Sequence, residues 1–185
     1  MQAATARQKL EAIRASNNPA TLDALWSDYL THTQRAYTKL RIACAEGPSK
    51  LWCDKLIERR RSDELLQYLL HARNADEHGI EAITEKTEGR VLFKPKPPAT
   101  SIKIDYLEIV RGVITMGPET QRNAIIELVP AAVKLVPVRD RGVTYQIPRR
   151  HRGEDFNDPT LIGVGEIGLA FLEHTLAEAA ETFLG

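Results

Sequence analysis

An arginine and a histidine that together could cleave a phosphodiester bond lie five positions apart in this chain of 185 residues, at Arg73 and His78. A guanidinium matches the geometry of a phosphate group, and an imidazole titrates near neutral pH, so it can take up or release a proton. Asn74 follows the arginine and adds an amide that can orient phosphate or imidazole. These residue types predict metal-independent cleavage of RNA.

The apolar run before the arginine predicts that this group lies near the end of a helix. Leu65, Leu66, Leu69 and Leu70 recur at helical spacing, and Gly79 follows the histidine as a helix stop. The segment Arg61-Ser62-Asp63 predicts a break before this helix, with Ser62 as the cap of the later part.

The preceding chain also has helical periodicity. Gln2–Ala15 is predicted as a short helix that ends before Asn17-Asn18-Pro19. Thr21 is predicted to cap a longer helix that continues as far as Cys44. The aromatic residues Trp26, Tyr29 and Tyr37 fall on its apolar stripe, so we interpret them as core.

After Gly89 the sequence becomes rich in β-branched residues, with proline and glycine between short runs. Ile102, Ile104 and Tyr106 alternate with polar residues as in a half-buried strand, and Asp140-Arg141-Gly142 is predicted as a hairpin turn. A last helix is predicted from Thr160 to Leu184, and we interpret its early glycines, at positions 163, 165 and 168, as a face for close helix contact rather than a nucleotide loop.

These elements predict an α+β fold that is mainly a helical bundle built from both ends of the chain. Residues 1–89 and 159–185 would form the bundle, and residues 90–152 a β-rich insertion before the last helix. A hydrophobic content of 43% and a charged content of 27% are typical of a soluble globular protein.

Neither a metal site nor membrane insertion is predicted. Cys44 and Cys53 lack cysteine or histidine neighbours at ligand spacing, and we interpret them as reduced core residues. No apolar run is long enough to span a bilayer, and the first residues lack the apolar core of a signal peptide. We therefore expect a cytoplasmic protein without cofactor.

Basic residues form two clusters, although the net charge is zero. From Gly153 to Gly185 there is no Lys or Arg, which leaves two interpretations: the acidic last helix lies beside basic helices, or the arginines line a cleft that faces phosphate. The second interpretation predicts RNA binding by Arg59, Arg60, Arg61, Arg149, Arg150 and Arg152.

The segment Arg73-Asn74-Ala75-Asp76-Glu77-His78 resembles the arginine–x4–histidine motif of the HEPN superfamily. These are small helical-bundle proteins, many of them metal-independent ribonucleases of toxin–antitoxin, phage-defence and RNA-processing systems. The motif lies at the end of a long bundle helix in the family, as predicted here, and the family often has a polar residue in the place of Asn74. The resemblance covers the helical parts and not residues 90–152.

The resemblance implies a homodimer in which the Arg73–His78 segments of two protomers meet. His78 would move the proton of the 2′-hydroxyl or of the leaving oxygen, Arg73 would stabilise the phosphate, and the products would be a 2′,3′-cyclic phosphate and a 5′-hydroxyl. It also implies an antitoxin or other protein partner. Ile80 stands where one toxin subgroup has a tyrosine, which argues against an adenylylating antitoxin.

Two other interpretations remain open. The chain could be a non-catalytic HEPN-like dimer whose β insertion recognises a nucleotide, RNA or a protein. It could also be an α+β domain in which the motif is an ordinary polar network at a helix end. The feature that separates the nuclease from the binding module is whether Asp76 and Glu77 occupy Arg73 and His78.

Overall fold

The structure, a computed structural model, describes residues 1–79 and 81–183. The chain divides into two compact units: Met1–Thr87 together with Val133–Gly185, and Glu88–Ala132. Helices and short strands are both present, so the predicted α+β class is confirmed. The predicted end of the last helix at Leu184 lies outside the described residues.

Two antiparallel helices open the first unit. Helix α1 is Gln2–Ala15, as predicted, and α2 is Pro19–Ala43. The predicted cap at Thr21 is wrong, because Asn18 caps α2 by accepting hydrogen bonds from the backbone of Ala20 and Thr21, at 2.9 and 3.1 Å. Proline at the first helical position needs no hydrogen-bond partner for a backbone N–H, which favours this earlier start.

A short 3₁₀ turn, Gly47–Ser49, leads into α3, Lys50–Ser62, and α4 follows at Glu64–His78. The predicted break is confirmed, but its cap is Asp63 and not Ser62. The Asp63 carboxylate accepts the Leu66 N–H at 2.9 Å, whereas the Ser62 hydroxyl donates back to Glu58. Gly79 ends α4 in the left-handed conformation, as predicted.

Helix α6, Leu161–Phe183, packs on α1, α2 and α4. Its three early glycines are buried. Gly165 and Gly168 lie against side chains of α1, α2 and α4, which confirms a helix-contact face at these two positions, whereas Gly163 lies against Asp158 just before the helix. On the outside, Glu173 and Glu166 pair with arginines of α1, and Glu178 pairs with Arg59 of α3. The acidic last helix therefore does lie beside basic helices.

Short strands complete the first unit. Strand β1, Thr84–Thr87, pairs with β6, Ala132–Leu135. Strands β7, Val138–Asp140, and β8, Val143–Tyr145, form the predicted hairpin, with Arg141 and Gly142 both at positive φ. A second such hairpin joins β9, Arg150–His151, to β10, Glu154–Asp155.

The second unit contains two antiparallel strand pairs and a short helix. Strand β2, Arg90–Pro95, pairs with β5, Ala124–Val129, and β3, Leu107–Val110, pairs with β4, Val113–Met116. Helix α5 is Pro118–Asn123. The strand predicted through Ile102 and Ile104 is not formed, because Asp105 instead turns the chain by accepting hydrogen bonds from Glu119 and Thr120 at the start of α5.

The boundary of the β-rich unit differs from the predicted 90–152. Residues 133–155 pack with the helices, and β7 lies along α4. Val138 is 1% exposed and belongs to the same core as Trp26, Tyr29 and Tyr37, which are buried as predicted. Burial of apolar side chains on both sides of this contact stabilises the hairpin on the helix.

Cys44 and Cys53 are both buried at 3% exposure and have free thiols. Each Sγ lies 3.8 Å from the carbonyl oxygen of Arg41, near the end of α2. Both therefore occupy core positions, as the sequence predicted.

Candidate functional site

The last two turns of α4 carry all three predicted catalytic residues. Arg73 has a quarter of its side chain exposed, Asn74 is half-buried and His78 is exposed. His71, Asn74 and His78 are three and four residues apart and so share one face of the helix, whereas Arg73 points about 140° away from His78 around the helix axis. The sequence of α4 alone brings the group to one helix end.

The Arg73 guanidinium is held between two acceptors. Its Nη2 forms an ion pair with Glu77 one turn later, and its Nη1 lies 3.4 Å from Asn74 Oδ1. Its Nε–H is buried and has no hydrogen-bond partner among the residues that the structure describes. The Nε donor is thus unused, whereas Nη1 and Nη2 each have an acceptor.

The acidic neighbours of the motif have separate partners. Asp76 accepts a hydrogen bond from Ser27 of α2, which ties α4 to that helix. Glu77 pairs with Arg73, as expected if the motif is an ordinary polar network at a helix end. Ion pairs of this i,i+4 kind contribute only about 0.5 kcal/mol on helices, so a phosphate can compete for the guanidinium.

The structure adds two residues that the sequence did not single out as site residues, Asp140 and Tyr145. Asp140 is 3% exposed, and its Oδ2 accepts hydrogen bonds from His71 Nδ1 at 2.7 Å and Asn74 Nδ2 at 3.0 Å. These bonds, that of His71 first, hold the pKa of Asp140 below its ordinary value. The His71 ring stacks on Tyr145 with centroids 3.7 Å apart.

Three of the predicted RNA-binding arginines meet at the opposite end of α4. Arg59, Arg150 and Arg152 line a pocket of about 390 Å³ together with the start of α4 and Phe171. Arg59 pairs with Glu178 and Arg150 with Asp155, whereas the Arg152 side chain forms no ion pair within the described part of the chain.

Asp63 also lines this pocket, but its charge is already used inside the protein. Its carboxylate accepts the backbone N–H groups of Leu66 and Arg152, at 2.9 and 2.7 Å, and lies 3.2 Å from His151 Nδ1. Glu64 accepts the backbone N–H of Arg149 at 2.7 Å. Both acids are thus engaged with groups of the protein, which leaves Arg152 as the charged side chain of the pocket without a partner of opposite charge among the described residues.

The remaining predicted RNA-binding residues do not join this pocket. The Arg60 guanidinium lies 3.8 Å above the Tyr37 ring and donates to Gln34, and burial lowers its pKa. Arg61 is exposed on the face of α3 next to Arg60. Arg149 is exposed and is fixed by its backbone N–H rather than by its side chain.

About ten residues of helix, or about 15 Å, separate the arginine pocket from Arg73. Among residues 1–79 and 81–183, no group of three or more His, Cys, Asp or Glu side chains could hold a metal ion. Within the same ranges, no helix is long and apolar enough to cross a membrane. Comparison with protein-family models, with curated proteins and with solved structures found no match to this chain.

Proposed function

We propose that this protein is a HEPN-like, metal-independent endoribonuclease that acts as a homodimer, in a toxin or phage-defence system. The observation that carries the proposal is that the last two turns of α4 carry both an exposed imidazole, His78, and a guanidinium whose Nε donor no described residue uses, Arg73. An incoming phosphate that displaces Glu77 would take over its contact with Nη2, and a guanidinium can bind two phosphate oxygens at once. The bundle that holds α4 is consistent with the family resemblance.

In this mechanism His78 moves a proton at the 2′-hydroxyl or at the leaving 5′-oxygen. Arg73 stabilises the negative charge that gathers on the equatorial phosphate oxygens, and Asn74 keeps the guanidinium in place. The 2′-oxygen forms a bond to phosphorus as the bond to the 5′-oxygen breaks. The products are a 2′,3′-cyclic phosphate and a 5′-hydroxyl.

The proposal predicts that the purified protein cleaves synthetic single-stranded RNA in the presence of EDTA. The reaction needs only the groups of the protein, so chelation should leave its rate unchanged. Mass spectrometry of the fragments should find 2′,3′-cyclic phosphate ends. RNA that remains intact over hours at micromolar protein would contradict the nuclease proposal.

The second candidate is a non-catalytic RNA-binding dimer. It is favoured by the hydrogen bonds that already occupy the motif, from Arg73 to Glu77 and from Asn74 to Asp140. In that case the arginine pocket at the start of α4 carries the affinity. RNA binding without any cleavage would support this candidate.

Both candidates predict that Arg152→Gln weakens RNA binding. The Arg152 side chain has no acidic partner among the described residues, so its charge is available to a phosphate. We expect the slope of log Kd against log salt concentration to fall by about 1 in magnitude. The loss of affinity should be similar for every RNA sequence. Fluorescence anisotropy at several salt concentrations measures this slope.

Arg35→Gln is the matched control, because Arg35 is an exposed arginine of α2 that does not line the pocket. It removes the same charge from the same unit and should leave the slope nearly unchanged. Equal slopes for Arg152→Gln and Arg35→Gln would show that the pocket does not contact phosphate.

A further inference from the structure

Asp140 is a carboxylate with almost no contact with water, at the end of β7. Carboxylates are seldom buried to this extent unless hydrogen bonds compensate for the lost hydration. Here both donors come from α4, His71 Nδ1 and Asn74 Nδ2, and both reach the same oxygen. The carboxylate therefore fastens the β7–β8 hairpin to the helix that carries the motif.

The bond from Asn74 fixes the direction of its amide. An ionised carboxylate can only accept hydrogen bonds, so the NH₂ end of the amide must face Asp140. The carbonyl end then faces Arg73 Nη1, at 3.4 Å. A reversed amide would bring two oxygens together at Asp140 and point the NH₂ group at the guanidinium.

His71 is held on two sides by the same hairpin. Its Nδ1 lies against Asp140, and its ring lies flat on Tyr145 with an interplanar angle of 10°. Because a carboxylate cannot donate, Nδ1 must carry the proton of this bond. A continuous hydrogen-bonded chain thus runs from His71 through Asp140 and Asn74 to Arg73 and ends at Glu77.

We propose that Asp140 is a positioning residue for Arg73 and acts through Asn74. Through Asp140 the hairpin fixes the orientation of the Asn74 amide. The oxygen of that amide provides one of the two contacts that hold the Arg73 guanidinium. The part of this inference that concerns catalysis rests on the proposed nuclease function. The part that concerns the guanidinium itself does not.

The test is a double-mutant cycle read on Arg73 without RNA. NMR measures the exchange of the Arg73 Nε–H with water in the wild type, Asp140→Leu, Asn74→Ala and the double variant. Each single substitution should accelerate exchange about tenfold or more, and the double variant should exchange no faster than Asn74→Ala alone. Unchanged exchange in Asp140→Leu, or effects that multiply in the double variant, would overturn the proposal.

Two further variants separate positioning from general loss of structure. Asp140→Asn keeps one acceptor oxygen without the charge, so its exchange should lie between those of the wild type and Asp140→Leu. If Asp140→Leu does not fold, Asp140→Asn carries the test, and wild-type exchange in it overturns the proposal. Asp23→Leu is the matched control, because Asp23 also joins a helix to a strand by accepting from Thr84 and Lys86. It should leave the exchange at Arg73 unchanged.

Cleavage supplies the second readout. If Arg73 acts in the transition state, Asp140→Asn should lower kcat up to about a hundredfold and leave KM nearly unchanged. The two readouts can fail independently. If the wild type does not cleave RNA but exchange at Arg73 shows the coupling, the nuclease function is wrong and the positioning role stands. If the wild type cleaves RNA but exchange shows no coupling, the positioning role is wrong and the nuclease function stands.

Discussion

Replacing His78 by alanine is expected to reduce RNA cleavage by about 10²- to 10⁴-fold. His78 is the exposed imidazole at the end of α4, and the proposed reaction assigns the proton transfer to it. An exposed side chain contributes little to folding, so the free energy of unfolding should change by less than about 0.5 kcal/mol. Single-turnover cleavage in EDTA, together with urea denaturation of the same samples, measures both quantities.

The companion variant Arg73→Ala should also lose about 10²- to 10³-fold in cleavage rate, because it removes the charge beside the phosphate. The two contacts that this substitution removes, the ion pair with Glu77 and the long contact with Asn74, are exposed or weak. The rates of the two variants, and of the double variant, should be similar, since groups that act in one step are not additive.

His174→Ala is the matched control for His78→Ala. His174 is also an exposed helix histidine, on α6, and it takes no part in the proposed site. It should cleave at the wild-type rate. Cleavage that survives in both His78→Ala and Arg73→Ala would place the activity at another site or in a contaminant, and it would end the proposal for this motif.

Local sequence patterns predicted the helices well because each start and stop depends on neighbouring residues. Gln2–Ala15 and the stop at Gly79 follow from periodicity and from glycine in the left-handed conformation. The errors at the caps were also local. Thr21 and Ser62 are good caps by type, but Asn18 and Asp63 lie nearer to the backbone groups that need an acceptor.

The missing part of the site depends on contacts between distant segments. Asp140 is 66 residues from Asn74 and 69 from His71 along the chain, and in sequence it is simply the first residue of a hairpin turn. The composition of residues 133–147 predicted strands, but no periodicity indicates that β7 packs on α4 rather than with the other strands. Burial of Val138 in the helical core decides that question. No local pattern marks Asp140 as buried, because its sequence neighbours are Arg139 and Arg141.

The second large effect is expected at Gly168, where Gly168→Val should destabilise the fold by about 3 kcal/mol. A Cβ at this position would lie 2.5 Å from Leu69 Cδ1 of α4 and 3.1 Å from the Tyr29 hydroxyl of α2. Tyr29 donates to Gly165 O at 2.7 Å, so it cannot move away without losing a buried hydrogen bond. The better helix propensity of valine offsets only a few tenths of a kcal/mol of this cost.

Thermal unfolding followed by circular dichroism should place the midpoint of Gly168→Val about 6–12 °C below that of the wild type. Ala177→Val, at an exposed position of the same helix, is the matched control and should shift it by no more than about 2 °C. Equal midpoints for the two variants would mean that α6 does not press its glycine face against α4. Because Leu69 lies one turn before Arg73, Gly168→Val should also displace the motif, and RNA cleavage below the melting range should fall along with stability.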